Sequence, residues 1–329
     1  SAPRGPLPDM GQLGEQFRFK GAFIATQEEL AKLLAAQGQS IAAQSCLTRA
    51  RQARIEFATG QNRRGVAFQD ERQPDKALLC YQQAVELLPD YANAHNNLGT
   101  VYKILGKWDE AEASYRRAVE LQPDYAEAHN NLGNALRARR KPPEAEASFR
   151  RALELKPTYA DAHNNLGVIL QDQQKFDEAI AAYQQAVSLR PDYAEAHNNL
   201  GTALKAKGKI PDARASYEKA IGLRPTYAAA HNNLGNVLRE MGQLEAAVKS
   251  YQEALKLGPH QPDGHNNLGV LYQDLNRLED AQRCYQEAIR LFPNFAEAHN
   301  NLGTVHKAQG RSMDSLLCYR RAIKIRENY

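Results

Sequence analysis

The chain has 329 residues, with 42 Lys and Arg against 38 Asp and Glu, so its net charge is only +4. A balance this even argues against a nucleic-acid binder, whose affinity rests on neutralising phosphates. No apolar run reaches the roughly 18 residues of a membrane span, and residues 1–6 lack a signal peptide's apolar core, so a cytoplasmic protein with no membrane or nucleic-acid partner is expected.

In chain order, residues 1–23 come first, with Gly5, Pro6, Pro8, Gly11 and Gly14 followed by Phe17, Phe19 and Phe23. The glycines and prolines predict a flexible start. The three aromatics are expected to cover the open face of the segment that follows. That segment, 24–57, carries Leu30, Ala31, Leu34, Gly38, Ala43, Leu47 and Ala50 in a frame that repeats for the rest of the chain. It is degenerate, as terminal repeats are. The next repeat, 58–91, keeps Gly65, Phe68, Ala77, Tyr81, Ala84 and Pro89 but reads Gln61-Asn62-Arg63-Arg64 where later repeats read His-Asn-Asn-Leu.

Seven strong repeats follow: 92–125, 126–159, 160–193, 194–227, 228–261, 262–295 and 296–329. Each carries His-Asn-Asn-Leu-Gly from its fourth position, beginning at His95, His129, His163, His197, His231, His265 and His299, always 34 residues apart. A fixed period of this length marks a stack of identical supersecondary units, each burying its apolar face against its neighbours.

Within each repeat two helices are predicted, over positions 2–14 and 18–30. Between them position 15 is often a residue that tolerates a left-handed backbone: Gly106, Gly208, Gly242, Gly310 or Asn276. Proline at position 32, from Pro89 to Pro293, ends the second helix. Cys46, Cys80, Cys284 and Cys318 all fall at position 23, where other repeats carry Ser or Ala. Equivalent positions of stacked repeats should lie roughly 8–10 Å apart, beyond the reach of a disulfide, so these are read as packing thiols.

With His95, Leu98, Gly99, Tyr102, Ala111, Tyr115, Ala118 and Pro123 at positions 4, 7, 8, 11, 20, 24, 27 and 32, the chain resembles the tetratricopeptide repeat (TPR) family. The departure is His at position 4, where the family pattern has an aromatic. The resemblance implies an all-α fold, a right-handed superhelix (α-solenoid) of about nine helix-turn-helix repeats. It also implies that the outward face of the first helices lines a concave groove.

At 100° per residue, positions 4, 7 and 11 of the first helix form a buried stripe and positions 2, 5, 6, 9, 12 and 13 the opposite face. The histidines fall on the stripe. They have no second ligand at i+3 or i+4, so each is read as a partly buried group hydrogen-bonded within its repeat, and no metal or other cofactor is expected. The asparagines of position 6 (Asn97, Asn131, Asn165, Asn199, Asn233, Asn267, Asn301) and position 5 (Asn96, Asn130, Asn164, Asn198, Asn232, Asn266, Asn300) fall on the groove face. Asn is a poor helix former, so seven consecutive pairs need a reason. A carboxamide matches a peptide backbone whatever its side chains. Two readings stand: the Asn rows bind an extended peptide or protein segment, or they form a structural ladder between repeats.

Positions 9 and 12 cycle through Val/Gln, Thr/Lys and Asn/Arg with a period of three repeats, 102 residues. Position 12 supplies Lys103, Arg137, Gln171, Lys205, Arg239, Gln273 and Lys307 as candidate selectivity residues. Wherever the pair is Val/Gln, position 13 is Asp: Asp70, Asp172 or Asp274. Duplication of a three-repeat block and an alternating groove chemistry both account for it.

Position 5 is Asn rather than Lys, which does not match the carboxylate-clamp subtype of the family. The Asn run is similar to the N-terminal repeat arm of O-GlcNAc transferases and SPINDLY-type glycosyltransferases, and to bacterial TPR proteins. The resemblance implies either a protein-interaction scaffold or the recruitment arm of such a transferase; an assembly module is the third reading. No phosphate loop, nucleophile elbow or His-x-x-x-His pair is present, so an enzyme is not expected. The last repeat ends at Tyr329 with Glu327 in place of the proline. An apolar face left open there predicts end-to-end self-association.

Overall fold

The computed structural model of the chain describes residues 10–327. Gly5, Pro6, Pro8 and Tyr329 therefore lie outside the described residues. Every element among the described residues is helical. The chain forms two compact bodies, residues 1–165 and 166–329. The N-terminal body holds α1 (Met10–Ala36), α2 (Ser40–Asp70), α3 (Pro74–Leu87), α4 (Ala92–Ile104), α5 (Trp108–Leu121), α6 (Ala126–Ala138) and α7 (Pro142–Leu155). The boundary falls inside α8 (Ala160–Asp172). The C-terminal body continues with α9 (Phe176–Leu189), α10 (Ala194–Ala206), α11 (Ile210–Leu223), α12 (Ala228–Glu240), α13 (Leu244–Leu257), α14 (Pro262–Asp274), α15 (Leu278–Leu291), α16 (Ala296–Ala308) and α17 (Ser312–Glu327).

The turn at position 15 folds each helix pair back on itself. All nine such residues have positive φ: Gly38, Arg72, Gly106, Arg140, Gln174, Gly208, Gly242, Asn276 and Gly310, between +56° and +75°. In the repeat beginning at 92, Lys107 N–H bonds to Tyr102 C=O (2.9 Å) and Gly106 N–H to Lys103 C=O (3.1 Å), the Schellman pattern that satisfies the last carbonyls of a helix. Three turns adopt this conformation with Arg or Gln, residues for which it costs about 1 kcal/mol.

Inside each pair the two helices meet where glycine of position 8 faces the aromatic of position 24. A Cβ built on Gly99 would lie 2.7 Å from the Tyr115 ring, and one on Gly133 would lie 2.6 Å from the Phe149 ring. Tyr81, Tyr115, Phe149 and Tyr183 are fully buried, with Tyr217, Tyr251 and Tyr285 at most 1% exposed. Each buried ring contributes on the order of 2–3 kcal/mol. At position 20 Ala77, Ala111, Ala145, Ala179, Ala213, Ala247 and Ala281 are fully buried too, which lets the second helices pack closely.

The N-terminal end differs from the regular pattern. The sequence frame places a repeat boundary at 57/58, but α2 runs unbroken from Ser40 to Asp70. Position 32 of that repeat is Ile55, so no proline interrupts the helix. Likewise α1 begins at Met10, well before residue 24. Of the three aromatics expected to cover this repeat, only Phe17 packs, with its ring centroid 6.1 Å from that of Phe57. Phe19 is 74% exposed and Phe23 45%. At the other end α17 leaves Met313, Leu316, Leu317 and Ile323 exposed. All four cysteines are free thiols.

One buried ionic network belongs to the N-terminal body. Glu112 on α5 is nearly inaccessible and takes hydrogen bonds from Arg116 (2.9 Å), Arg139 (2.5 Å) and Lys141 (3.1 Å). Burial alone would raise its carboxyl; the bonds from Lys141, Arg116 and Arg139 outweigh that and hold it down at about 2.

Candidate functional site

The His-Asn-Asn-Leu-Gly segment opens the first helix of every strong repeat, and the structure divides it residue by residue. Each histidine donates from Nε2 to the carbonyl of the proline six residues before it, at 2.9–3.1 Å: His95 to Pro89, His129 to Pro123, His163 to Pro157, and onward to His299 and Pro293. The acceptor is thus at the end of the preceding repeat rather than within the same one. The carbonyl can only accept, which fixes the proton on Nε2. Histidine and proline therefore act as one device: the ring pins the loop that the proline creates. Burial holds His95, His129 and His197 below the ordinary imidazole range, against the raising effect of the proline carbonyl.

The asparagines split into two roles. Those of position 5 point inward: Asn96, Asn130, Asn164, Asn198 and Asn266 are at most 7% exposed, Asn232 is half-buried, and Asn300 is exposed on the last first-helix. Those of position 6, Asn97, Asn131, Asn165, Asn199, Asn233, Asn267 and Asn301, are all half-exposed. Between repeats the two rows bond as a ladder. Asn131 donates to Asn96 Oδ1 (2.9 Å) and Asn165 to Asn130 (2.9 Å) in the N-terminal body; Asn233 donates to Asn198 (3.0 Å), Asn267 to Asn232 (3.3 Å) and Asn301 to Asn266 (3.1 Å) in the C-terminal body.

Position 5 is tied on its other side as well. Asn130 donates to the hydroxyl of Tyr159, at position 34 of its own repeat (3.4 Å). In the repeat ending in Phe295 no hydroxyl is available, and Asn266 donates to Glu297 instead (3.1 Å). The sequence frame missed one rung. Asn62, in the repeat that lacks the pentapeptide, is buried, accepts from Asn97 (3.0 Å) and donates to Tyr91 (3.4 Å). Its signal was its register: it stands 34 residues before Asn96.

Positions 9 and 12 follow from the buried tyrosine of position 24, whose hydroxyl needs an acceptor. Where position 9 is Thr or Asn, that residue accepts: Tyr115 donates to Thr100 (3.1 Å), Tyr217 to Thr202 (3.2 Å) and Tyr251 to Asn236 (2.6 Å). Thr304 and the Tyr319 hydroxyl pair in the same way (3.2 Å). Where position 9 is Val, glutamine at position 12 takes over: Tyr81 donates to Gln69, Tyr183 to Gln171 (3.4 Å) and Tyr285 to Gln273 (3.1 Å). Gln171 and Gln273, expected on the groove as selectivity residues, thus hold a core hydroxyl. Lys103 and Lys205 are half-exposed, and Arg137, Arg239 and Lys307 are exposed. Arg239 reaches Asp274 of the next repeat (2.6 Å).

The first helices of each body therefore present a polar surface with half-exposed carboxamides spaced one per repeat, flanked by position-12 cations. A carboxamide has two donor hydrogens and two acceptor lone pairs, and each position-6 side chain that donates in the ladder uses one hydrogen there. Among the described residues no group of three His, Cys, Asp or Glu side chains converges as a metal site, and no helix is long and apolar enough to cross a membrane.

Helix pairs of constant length, repeated with conserved turn geometry, define an α-helical repeat protein. Comparison with known families narrows this. Models described as "Tetratricopeptide repeat" match residues 56–124, 90–158, 148–181 and 296–329, and one described as "TPR repeat" matches 169–208, 201–241, 235–276 and 271–310. The chain belongs to the tetratricopeptide repeat family.

No curated protein sequence matches it significantly. Among solved structures, pilF of Pseudomonas aeruginosa is similar at 23% identity over 63% of this chain and 94% of that one, with a TM-score of 0.58. The APC/C hetero-tetramer Cut9–Hcn1 is similar at 16% identity and TM-score 0.66, over 83% of this chain and 56% of that one. YrrB, described as a TPR protein with an unusual peptide-binding site, is 24% identical over 54% of this chain and 92% of that one, with a TM-score of 0.46. For pilF and Cut9–Hcn1 the likeness is one of fold. The architecture is that of a protein-interaction scaffold.

Proposed function

We propose that the chain binds an extended peptide or protein segment along the surface of its first helices, with the position-6 asparagines gripping the ligand's backbone. The observation that carries this reading is the inequality of the two Asn rows. Position 5 is buried except at Asn232 and Asn300, and Asn130 is bonded on both sides, while position 6 is half-exposed with bonding capacity beyond the ladder. A structural ladder needs a polar partner at every rung, but it does not call for that partner to stay half-exposed. Repetition at a fixed spacing suits a ligand that is itself periodic, and an extended main chain is the commonest such ligand. The reading assigns no catalysis to the described residues.

The test uses the peptide backbone as the variable. An extended peptide and its alternately N-methylated counterpart carry the same side chains, but the second lacks half the amide donors. Backbone recognition predicts about a tenfold or greater loss of affinity on methylation, from two or more lost hydrogen bonds. Equal affinities would mean that the Asn row does not read the main chain.

A further inference from the structure

Because α2 runs straight through the 57/58 boundary, its middle turns stand beside the loop that joins α3 to α4. A cavity of about 480 Å³ opens between them, with Glu28 of α1 and Arg117 of α5 completing its wall. The loop side is aliphatic and fixed. Leu88 is half-buried there, and the Pro89 carbonyl accepts from His95 Nε2 at 3.0 Å, which holds the loop in place.

The α2 side departs from the repeat pattern at two lining positions. Position 24 is Leu47, where every later repeat has Tyr or Phe, and Leu47 is 46% exposed. Position 28 is Arg51, where every later repeat, from Val85 to Ile323, has Val, Leu or Ile. A guanidinium thus stands where the pattern puts an aliphatic side chain, beside a cavity whose uncharged lining is aliphatic.

The charged lining leaves one cation in excess, with Arg51, Arg54 and Arg117 set against Glu28 and Asp90. Arg54 is held by Glu28 at 2.5 Å. Arg117 reaches Glu120 at 3.3 Å, an exposed pair of the kind that contributes little. Arg51 is exposed and its guanidinium has no partner among the described residues; the Asp90 carboxylate has none there either. A dianion would exceed the positive charge on offer and meet Asp90 as well. A monoanion matches it.

We infer that this cavity binds a carboxylate with an aliphatic body, the carboxylate on Arg51 in the field of Arg117 and the body against Leu47, Leu88 and Pro89. The same chemistry is offered by a free aliphatic acid and by the C-terminal residue of a peptide that ends in Leu. The guanidinium selects for the anion, and the aliphatic wall selects against small hydrated ones. The site shares no residue with the asparagine rows, so it stands or falls apart from backbone binding by position 6.

The full chain is titrated by calorimetry with butanoate, octanoate and octanamide, and with a short Leu-ending peptide as free acid and as C-terminal amide. Octanoate should bind about fivefold tighter than octanamide, less so as salt rises. It should also bind at least tenfold tighter than butanoate, since each buried methylene adds about threefold. Arg51→Val installs a residue type of the other repeats and removes no protein contact, so the preference for acid over amide falls below about twofold while the melting temperature holds. Leu88→Gln, with the residue type of Gln122 in the next repeat, keeps that preference but weakens octanoate by about threefold. Asn131→Ala leaves octanoate binding unchanged, whatever it does to backbone recognition. In the peptide pair only the difference between acid and amide is read, because the asparagine row treats both alike. A peptide difference as large as that of octanoate assigns the site to chain termini, and its absence assigns the site to free acids. Equal binding of octanoate and octanamide, octanoate no tighter than butanoate, or an acid preference undiminished in Arg51→Val overturns the proposal.

Discussion

The N-terminal and C-terminal bodies share one internal plan and differ at its margins. Both are built from position-8 glycines against position-24 rings, proline loops pinned by histidine, and a two-row asparagine ladder. The N-terminal body departs three times: the unbroken α2, the buried Glu112 network, and Phe149 in place of tyrosine. What repeats is what the stack needs in order to pack. What differs lies where packing tolerates choice, and there chemistry specific to one part of the chain can be placed.

The largest expected effects test the shared plan. Phe149→Ala in one body and Tyr251→Ala in the other should each cost about 3–5 kcal/mol, because both rings are buried against glycine and the cavity cannot close. Denaturant unfolding of the two variants should give losses within about 1 kcal/mol of each other, given the shared environment. A much smaller loss for Phe149→Ala would mean that the N-terminal body is packed more loosely than its geometry indicates.

Next comes the ionic network around Glu112 in the N-terminal body. With Glu112 held at about 2, its stabilising contribution is fully present above the ordinary carboxylate value. It is lost as pH falls from there towards 2, because the unfolded chain takes up the proton first. Glu112→Gln should lower stability at neutral pH by about 2 kcal/mol and flatten the acid limb of the stability curve. An acid limb unchanged by the substitution would show that the network contributes nothing.

The smallest effect concerns the turns. Arg140 has φ of +57° where five other repeats have glycine. Arg140→Gly should raise stability by about 1 kcal/mol, whereas Gly208→Arg in the C-terminal body should lower it by a similar amount. Thermal melting checks both, and a destabilised Arg140→Gly would contradict the strain argument.

Much of this was legible in the sequence because a fixed period exposes each position many times over. Glycine at position 15 predicted the left-handed turn, and the same register correctly implicates Arg72, Arg140 and Gln174, whose residue types gave no hint. The missing proline at Ile55 was visible too, and it explains the continuous α2. Helical-wheel angles could not separate position 5 from position 6. They lie 100° apart, and which one is buried depends on the neighbouring repeat and on Tyr159 or its equivalents. Nor could the wheel assign Gln171 and Gln273, since their bonds to Tyr183 and Tyr285 depend on how the two helices of a repeat pack. The three-repeat period is in part a rule for satisfying one buried hydroxyl, and its exception at Phe149 is informative for that reason.

The central claim is that one Asn row builds the stack while the other meets a ligand. Asn96 and Asn131 share a single hydrogen bond, so replacing either with Ala removes the same rung. Measuring melting temperature and peptide affinity side by side for Asn96→Ala and Asn131→Ala separates the two jobs. Asn96→Ala should lower the melting temperature more and leave affinity within about twofold of wild type; Asn131→Ala should melt closer to wild type and lose about fivefold or more in affinity. If affinity instead falls for both variants in step with stability, the asparagine ladder is structural alone.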